Sequence, residues 1–316
     1  MSMKKQEISE FTKISKSTLS KTLRHCSGVD TETRHRILTE NPVREYAPGQ
    51  YAVYCILPDV PNFFWKEALR GLMDYPRPNE VPVKYNVYTK LGDTETVMIY
   101  LEEAKRLDVR VLIIAAILEP PVREMLEELV KDRLVIFLSE QEELVNSFYV
   151  GSDAYRDGYA LGQRYVSEYK DRKLVMLSAD GGRNIQLRLD GFRDAVRTGD
   201  EALLNRAKLL HVAHDELIFK RSASANLAAA LAGETDDCCL YIPCGVPQLS
   251  VAVGKLRKRG LRMRCLCHDS QGTEEIISCN QNLYAQGAAA MEAACRFVLE
   301  GSYPPQKYIF IPSEIK

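Results

Sequence analysis

From Tyr51 onward the sequence alternates short apolar runs with longer amphipathic segments, and few architectures accept that alternation. YAVYCIL (51–57), VKYNVY (83–88), VRVLIIAA (109–116) and RLVIFL (133–138) read as strands, separated by stretches of helical period near 63–75, 93–107 and 121–131. Strand and helix in turn, over fewer than 100 residues, predict parallel βαβ units with helices covering the sheet. The series then restarts. SFYV (147–150), KLVMLS (173–178), AKLLHV (207–212), CCLYIP (238–243) and MRCLCH (263–268) are the second set of strands, with helices near 154–169, 184–198, 216–232 and 247–259. The fold class expected is therefore α/β, with two doubly wound, Rossmann-like lobes.

Open α/β sheets bind ligands in the crevice at the carboxyl ends of their strands, so function is expected in the loops that follow them. Those loops are ILPDVPNFFW, FLSEQ, SADGGRN, YIPCGVP and LCHDSQG. None holds GxGxxG, GxxxxGK[ST] or GxSxG, so dinucleotide binding, P-loop chemistry and the hydrolase elbow lack their marks, and no enzyme or cofactor is expected. At 46% hydrophobic and 27% charged residues the chain can bury a full core. No apolar run reaches the roughly 18 residues of a membrane span, and the first residues carry no signal-like apolar stretch, so a cytoplasmic protein with no membrane partner is expected. The nine cysteines, odd in number and irregularly spaced, suit reduced thiols.

Residues 1–49 differ from the rest. They read as short helices without a sheet partner, ending in the turn-rich NPVREYAPG, and residues 1–26 carry six basic against two acidic side chains, although the whole chain is at −1. Ser15, Lys16, Ser17, Thr18, Leu19, Ser20, Lys21, Thr22 and Leu23, followed by GVDTETRHRIL (28–38), resemble the recognition helix and third helix of lactose-repressor (LacI/GalR) type regulators. In a helix-turn-helix the second helix lies in the major groove. Ser15 would then open that helix, Lys16 and Ser17 would face base edges, and Thr18, Ser20 and Lys21 would reach groove walls or phosphates. The remainder is similar to the same family: Leu57-Pro58-Asp59 with Asn62-Phe63-Phe64-Trp65 and Gly71, Val150-Gly151-Ser152-Asp153 with Gly158, Arg188-Leu189-Asp190-Gly191-Phe192, and Gln281 with Gly287.

The resemblance implies a periplasmic-binding-protein type I sensor over 50–316, with a small polar effector, a sugar above all, held between the lobes. Lobe 1 would comprise about 50–149 and 283–303, and lobe 2 about 150–282 and 304–316, with a helix near 284–300 returning to lobe 1 and KYIFIP (307–312) closing lobe 2. A homodimer presenting two heads to operator DNA is the implied assembly. Three departures stand against the family pattern. Only Lys13 and Ile14 separate Thr12 from Ser15 where the family has a longer turn, the hinge-helix segment after Tyr46-Ala47-Pro48 is missing, and Gly245-Val246 stands where Asn-Asp is usual.

The candidate ligand-binding residues follow from loop position and chemistry. Phe64 and Trp65 offer aromatic faces to the C–H faces of a sugar, and lobe packing is the alternative reading. Arg188 brings a planar fork able to serve two hydroxyls, Asp269 a carboxylate acceptor, and Gln281, Ser139 and Glu140 further polar contacts. His211, His214 and Asp215 form an H-x-x-H-D run, but His211 fits the strand pattern and no cysteine lies at ligand spacing, so no metal site is expected there. Glu140 with Asp269 as a glycosidase pair has no supporting motif.

Overall fold

The computed structural model describes residues 49–316 apart from 60, 61, 79, 90, 91, 179–181, 214–224, 226, 228, 230, 232–236, 247, 248, 259 and 271. The helix-turn-helix expectation for 15–38 lies outside the described residues, as do His214, Asp215 and most of the helix expected near 216–232. The described chain forms two compact units, one of residues up to Val150 with Gly287–Ile309, the other of Gly151–Gln286 with Phe310–Lys316.

The first unit contains β1 (Val53–Pro58), α1 (Asn62–Asp74), β2 (Val83–Tyr88), α2 (Thr94–Arg106), β3 (Val111–Ile114), α3 (Pro120–Leu129), β4 (Leu134–Leu138) and β5 (Ser147–Gly151). The strands order as β11-β5-β4-β3-β1-β2, with β11 (Tyr308–Phe310) at the edge, and β1 to β5 pair in parallel. Every residue of β1, β3 and β4 is buried, which is why these runs are apolar throughout rather than alternating. On one face Tyr54, Ile56, Leu112, Ile114, Val135 and Phe137 pack with Tyr100, Leu101, Val122 and Leu126 of α2 and α3. Local chemistry sets the helix starts: the Asp93 carboxylate accepts from the Thr96 amide at 3.2 Å, and Pro120 occupies the first turn of α3.

The second unit repeats this order with α4 (Ala154–Glu168), β6 (Lys173–Ser178), α5 (Arg183–Asn205), β7 (Lys208–His211), β8 (Cys238–Tyr241), α6 (Leu249–Lys258), β9 (Met263–His268), β10 (Ile276–Asn280) and β12 (Glu314–Ile315). Its sheet runs β12-β10-β9-β8-β6-β7, so β6 to β10 correspond one by one to β1 to β5. Helix α7 (Leu283–Glu300) begins in the second unit and continues into the first.

Several details differ from the sequence reading. The pattern of α5 fades at Thr198, yet the helix runs to Asn205 across a break at Asp200 (φ −164°, ψ 103°), whose carboxylate accepts from the Ala202 amide at 3.0 Å and caps the turn beyond. The run KYIFIP supplies the edge strand of the first sheet rather than closing the second, which is finished by Glu314–Ile315 in an antiparallel pair with β10. The strand β10 itself, IISCN, follows a short turn instead of a helix and has no amphipathic partner to announce it.

Two glycines let helices approach closely. A Cβ on Gly158 of α4 would lie 2.0 Å from the Arg188 carbonyl oxygen of α5, and one on Gly287 of α7 would lie 2.1 Å from the Ala68 carbonyl oxygen of α1. Only a residue without a side chain fits at either crossing.

Candidate functional site

The carboxyl ends of the second sheet gather polar groups from four elements. Arg188 lies five residues into α5 and is 5% exposed, and its Nη1 donates to the Pro243 carbonyl beyond β8 at 3.0 Å. Asp269 follows β9 directly in the left-handed region (φ 46°), a conformation that a non-glycine residue holds at a cost of about 1–3 kcal/mol. Its Oδ1 accepts from the Gln281 amide at 3.0 Å and its Oδ2 from the Gln281 side-chain Nε2. Gln281, wholly buried, accepts at Oε1 from Ser152 Oγ (3.0 Å) and at its carbonyl from Gln286 Nε2 (2.7 Å). Arg188, Asp269 and Gln281 are thus brought together at one end of one sheet. Burial raises the Asp269 carboxyl above its ordinary value, opposed by the charge of Arg188 and the two Gln281 bonds.

The first unit holds the other candidates at the equivalent ends of its strands. Ser139 follows β4 as Asp269 follows β9, and it too is left-handed (φ 61°). The correspondence extends to the backbone, where the Ser139 amide donates to the Val150 carbonyl (2.9 Å) and the Asp269 amide to that of Cys279 (3.1 Å). Ser139 is 1% and Glu140 9% exposed, and burial first, with the charge of Glu140 second, raises the Tyr88 hydroxyl. Trp65 on α1 is 4% exposed and meets the partly buried Phe64 edge to face, with ring centroids 4.8 Å apart. Trp65 also lines a cavity of about 200 Å³ with Leu57, Pro58, Asp59, Lys66, Leu69 and Val87. That volume is below the roughly 300–1,000 Å³ of an enclosing small-molecule site, so the cavity can seat one face or edge of a ligand.

Sequence reasoning missed a set of residues behind Arg188. Tyr241, the last residue of β8, donates its hydroxyl to the Arg188 carbonyl (3.1 Å) and stacks on Phe192 with centroids 3.8 Å apart and planes 10° apart. His268, the last residue of β9, is fully buried with Nε2 3.3 Å from the Tyr241 oxygen. Desolvation first, and the Arg188 charge second, hold its imidazole well below the usual histidine range, so it is neutral. Asp157 of α4 is buried and accepts from Ser313 Oγ at 2.9 Å. A histidine closing an apolar strand, as in MRCLCH, is the signal that marks this group. At the position where the family pattern has Asn-Asp, Val246 is buried and its amide donates to Ser270 Oγ at 3.4 Å. His211 on β7 is exposed.

No protein-family model and no curated protein sequence matches the chain. Solved structures do. A glucose-galactose binding protein from Geobacillus stearothermophilus, GanP, is 18% identical with a TM-score of 0.67, over 84% of this chain and 97% of that one. A sugar transporter structure from Clostridium phytofermentans is 16% identical with a TM-score of 0.70, over 84% and 99%. A LacI family transcriptional regulator from Enterococcus faecium, solved with bound ribose, is 18% identical with a TM-score of 0.64, over 84% and 96%. At these identities the likeness speaks for the fold, that of the type I periplasmic binding proteins. Among the described residues no helix is long and apolar enough to cross a membrane.

Proposed function

We propose that the chain is a transcriptional regulator whose two lobes sense a small polar effector of sugar type. The observation that carries the effector reading is the convergence of Arg188, Asp269 and Gln281. A guanidinium fork, a carboxylate with acceptor capacity beyond its two Gln281 bonds, and an amide are the donors and acceptors that vicinal hydroxyls require. The sugar-binding proteins that share the fold support the same class of ligand. Phe64 and Trp65 supply the apolar contact, and Ser139 and Glu140 contribute polar contacts from lobe 1.

The regulator reading rests on the sequence of the head, with Ser15, Lys16, Ser17, Thr18, Ser20 and Lys21 addressing operator DNA in a homodimer, and on the fold shared with a LacI family regulator. An effector shifts such a protein only by its difference in affinity for the two states of the sensor. The shortened turn and the missing hinge segment favour a second reading, a cytoplasmic sugar-binding protein whose head does not engage DNA.

A thermal-shift screen of a sugar library, followed by calorimetry on each hit, tests the effector. Random-site selection with the purified protein at low salt tests the head. Enrichment of a palindromic site, with affinity falling steeply as salt rises, supports the regulator. A sugar hit without any enriched site leaves the binding protein.

A further inference from the structure

Beside the candidate effector residues lies a trio with different chemistry. His268 and Cys279 are register partners on β9 and β10, so their side chains leave the same face of the second sheet. A carboxylate oxygen of Asp157, a ring nitrogen of His268 and Cys279 Sγ lie within 4.8 Å of one another, all buried, and they are the one such group among the described residues.

The hydrogen bonds fix which histidine nitrogen is free. The single proton of the Tyr241 hydroxyl goes to the Arg188 carbonyl, so at 3.3 Å the tyrosine oxygen accepts from His268 Nε2–H. A neutral imidazole with Nε2 protonated carries a bare lone pair on Nδ1. That atom is fully buried and has no hydrogen-bond partner, and an acceptor left so is costly unless something fills it. The Cys279 thiol does not fill it, because it donates to the Asp157 carboxylate instead.

We propose that Asp157, His268 and Cys279 form a binding site for a zinc-like divalent transition-metal ion. The donors would be a carboxylate oxygen, an imidazole nitrogen already in its ligating tautomer, and a thiolate, with one position left open. Zinc accepts that N, O, S combination in a tetrahedral shell, whereas calcium and magnesium take oxygen ligands. With Zn–S near 2.3 Å and Zn–N near 2.0 Å, the donors need to draw together by about 1 Å. The Nε2–H bond to Tyr241 is the outer-shell contact that ligating histidines generally make. On binding, a Zn–S bond forms and the Cys279 S–H bond breaks, its proton leaving to solvent; no electrons are exchanged. Carboxylate and thiolate together cancel the ion's charge, so adding a divalent ion and losing one proton takes the site from −1 to neutral beside the Arg188 guanidinium.

The test uses the full chain, stripped with a chelator and titrated with Zn²⁺ alone, then with Co²⁺ as the spectroscopic probe. Wild type should show a thiolate-to-cobalt charge-transfer band and release one proton per Zn²⁺, measured by calorimetry in two buffers of different ionisation enthalpy. Cys279→Ser keeps a hydroxyl for Asp157 and should match the metal-free melting of wild type, yet lose the band and at least about tenfold in Zn²⁺ affinity, as His268→Gln should. A wild-type protein without the band, or a band that persists in Cys279→Ser, overturns the site. Should Cys279→Ser not fold, the proton count decides: one per ion upholds the site and none overturns it.

Discussion

Replacing Gly158 by alanine probes how the α4–α5 crossing positions Arg188. On helix propensity alone the change stabilises, because alanine exceeds glycine by about 1 kcal/mol in a helix interior. The added methyl, however, would sit 2.0 Å from the Arg188 carbonyl oxygen, 2.7 Å from its carbonyl carbon and 2.8 Å from its Cα. All three are backbone atoms, so no rotamer change relieves the contact. Reaching an ordinary separation of about 3.4 Å moves one helix by roughly 1.4 Å, and overpacking of that kind costs about 1–3 kcal/mol or more. The expected net loss is up to about 2 kcal/mol, or a melting temperature lower by as much as roughly 8 °C at 2–4 °C per kcal/mol. Gly254 on α6 is the control: nothing lies within 4 Å of its added Cβ, so Gly254→Ala should be neutral to stabilising by up to about 1 kcal/mol. Urea unfolding of both variants reads the difference. A Gly158→Ala protein stabilised as much as Gly254→Ala would show that the crossing yields freely and refute the argument.

Four further outcomes are expected. Arg188→Ala should weaken an identified effector by roughly 1.5–3 kcal/mol, the range for hydrogen bonds to a charged group, and unchanged affinity in calorimetry removes Arg188 from the site. Glu103→Leu should destabilise by about 3–5 kcal/mol, because it strands the buried Lys84 ammonium now 2.5 Å from the carboxylate, while breaking the exposed Lys105–Glu128 pair should leave stability nearly unchanged; chemical denaturation distinguishes them. Eight of the nine cysteines are buried, with burial pushing Cys244 and Cys267 up to about 12, so a thiol reagent at pH 8 should label at most one site quickly until denaturant is added. If the head engages DNA, Lys16→Ala should relax sequence preference in a binding selection, whereas Lys4→Ala should weaken all sequences alike.

The central strands β1, β3, β4 and β8 were legible because they are buried on both faces and therefore apolar along nearly their whole length, as in VYCILP and VLII, while β2 announced itself by alternation. Strand β10 was not, because IISCN is short and lacks the helix that frames the others. Arg188, Asp269 and Gln281 could be read from their places after strands and from the family pattern, but their mutual bonding could not, since it depends on the left-handed turn at Asp269 and on the register of β9 with β10. Tyr241, His268 and Cys279 escaped notice because each sits inside an apolar run where packing accounts for the residue type. Only their shared sheet face joins them to Asp157, more than 80 residues earlier in the chain.

The chain passes from the first unit to the second after Val150, back after Gln286, and out again after Ile309. Synthesis therefore meets an ordering constraint. When Val150 has left the ribosome, the first sheet still lacks β11 and α1 still lacks the helix that lies against Ala68. Both arrive only with residues up to 309, another 159 residues later, which at roughly 5–20 residues per second is a wait of about 8–30 s. For that interval the nascent amino-terminal half exposes an unpaired β5 edge and the uncovered face of α1 around Ala68, surfaces of the kind that invite misassociation. A truncation at any point before 309 would leave both units incomplete, and a single unit becomes one continuous chain only when its pieces are joined directly across the residues between them.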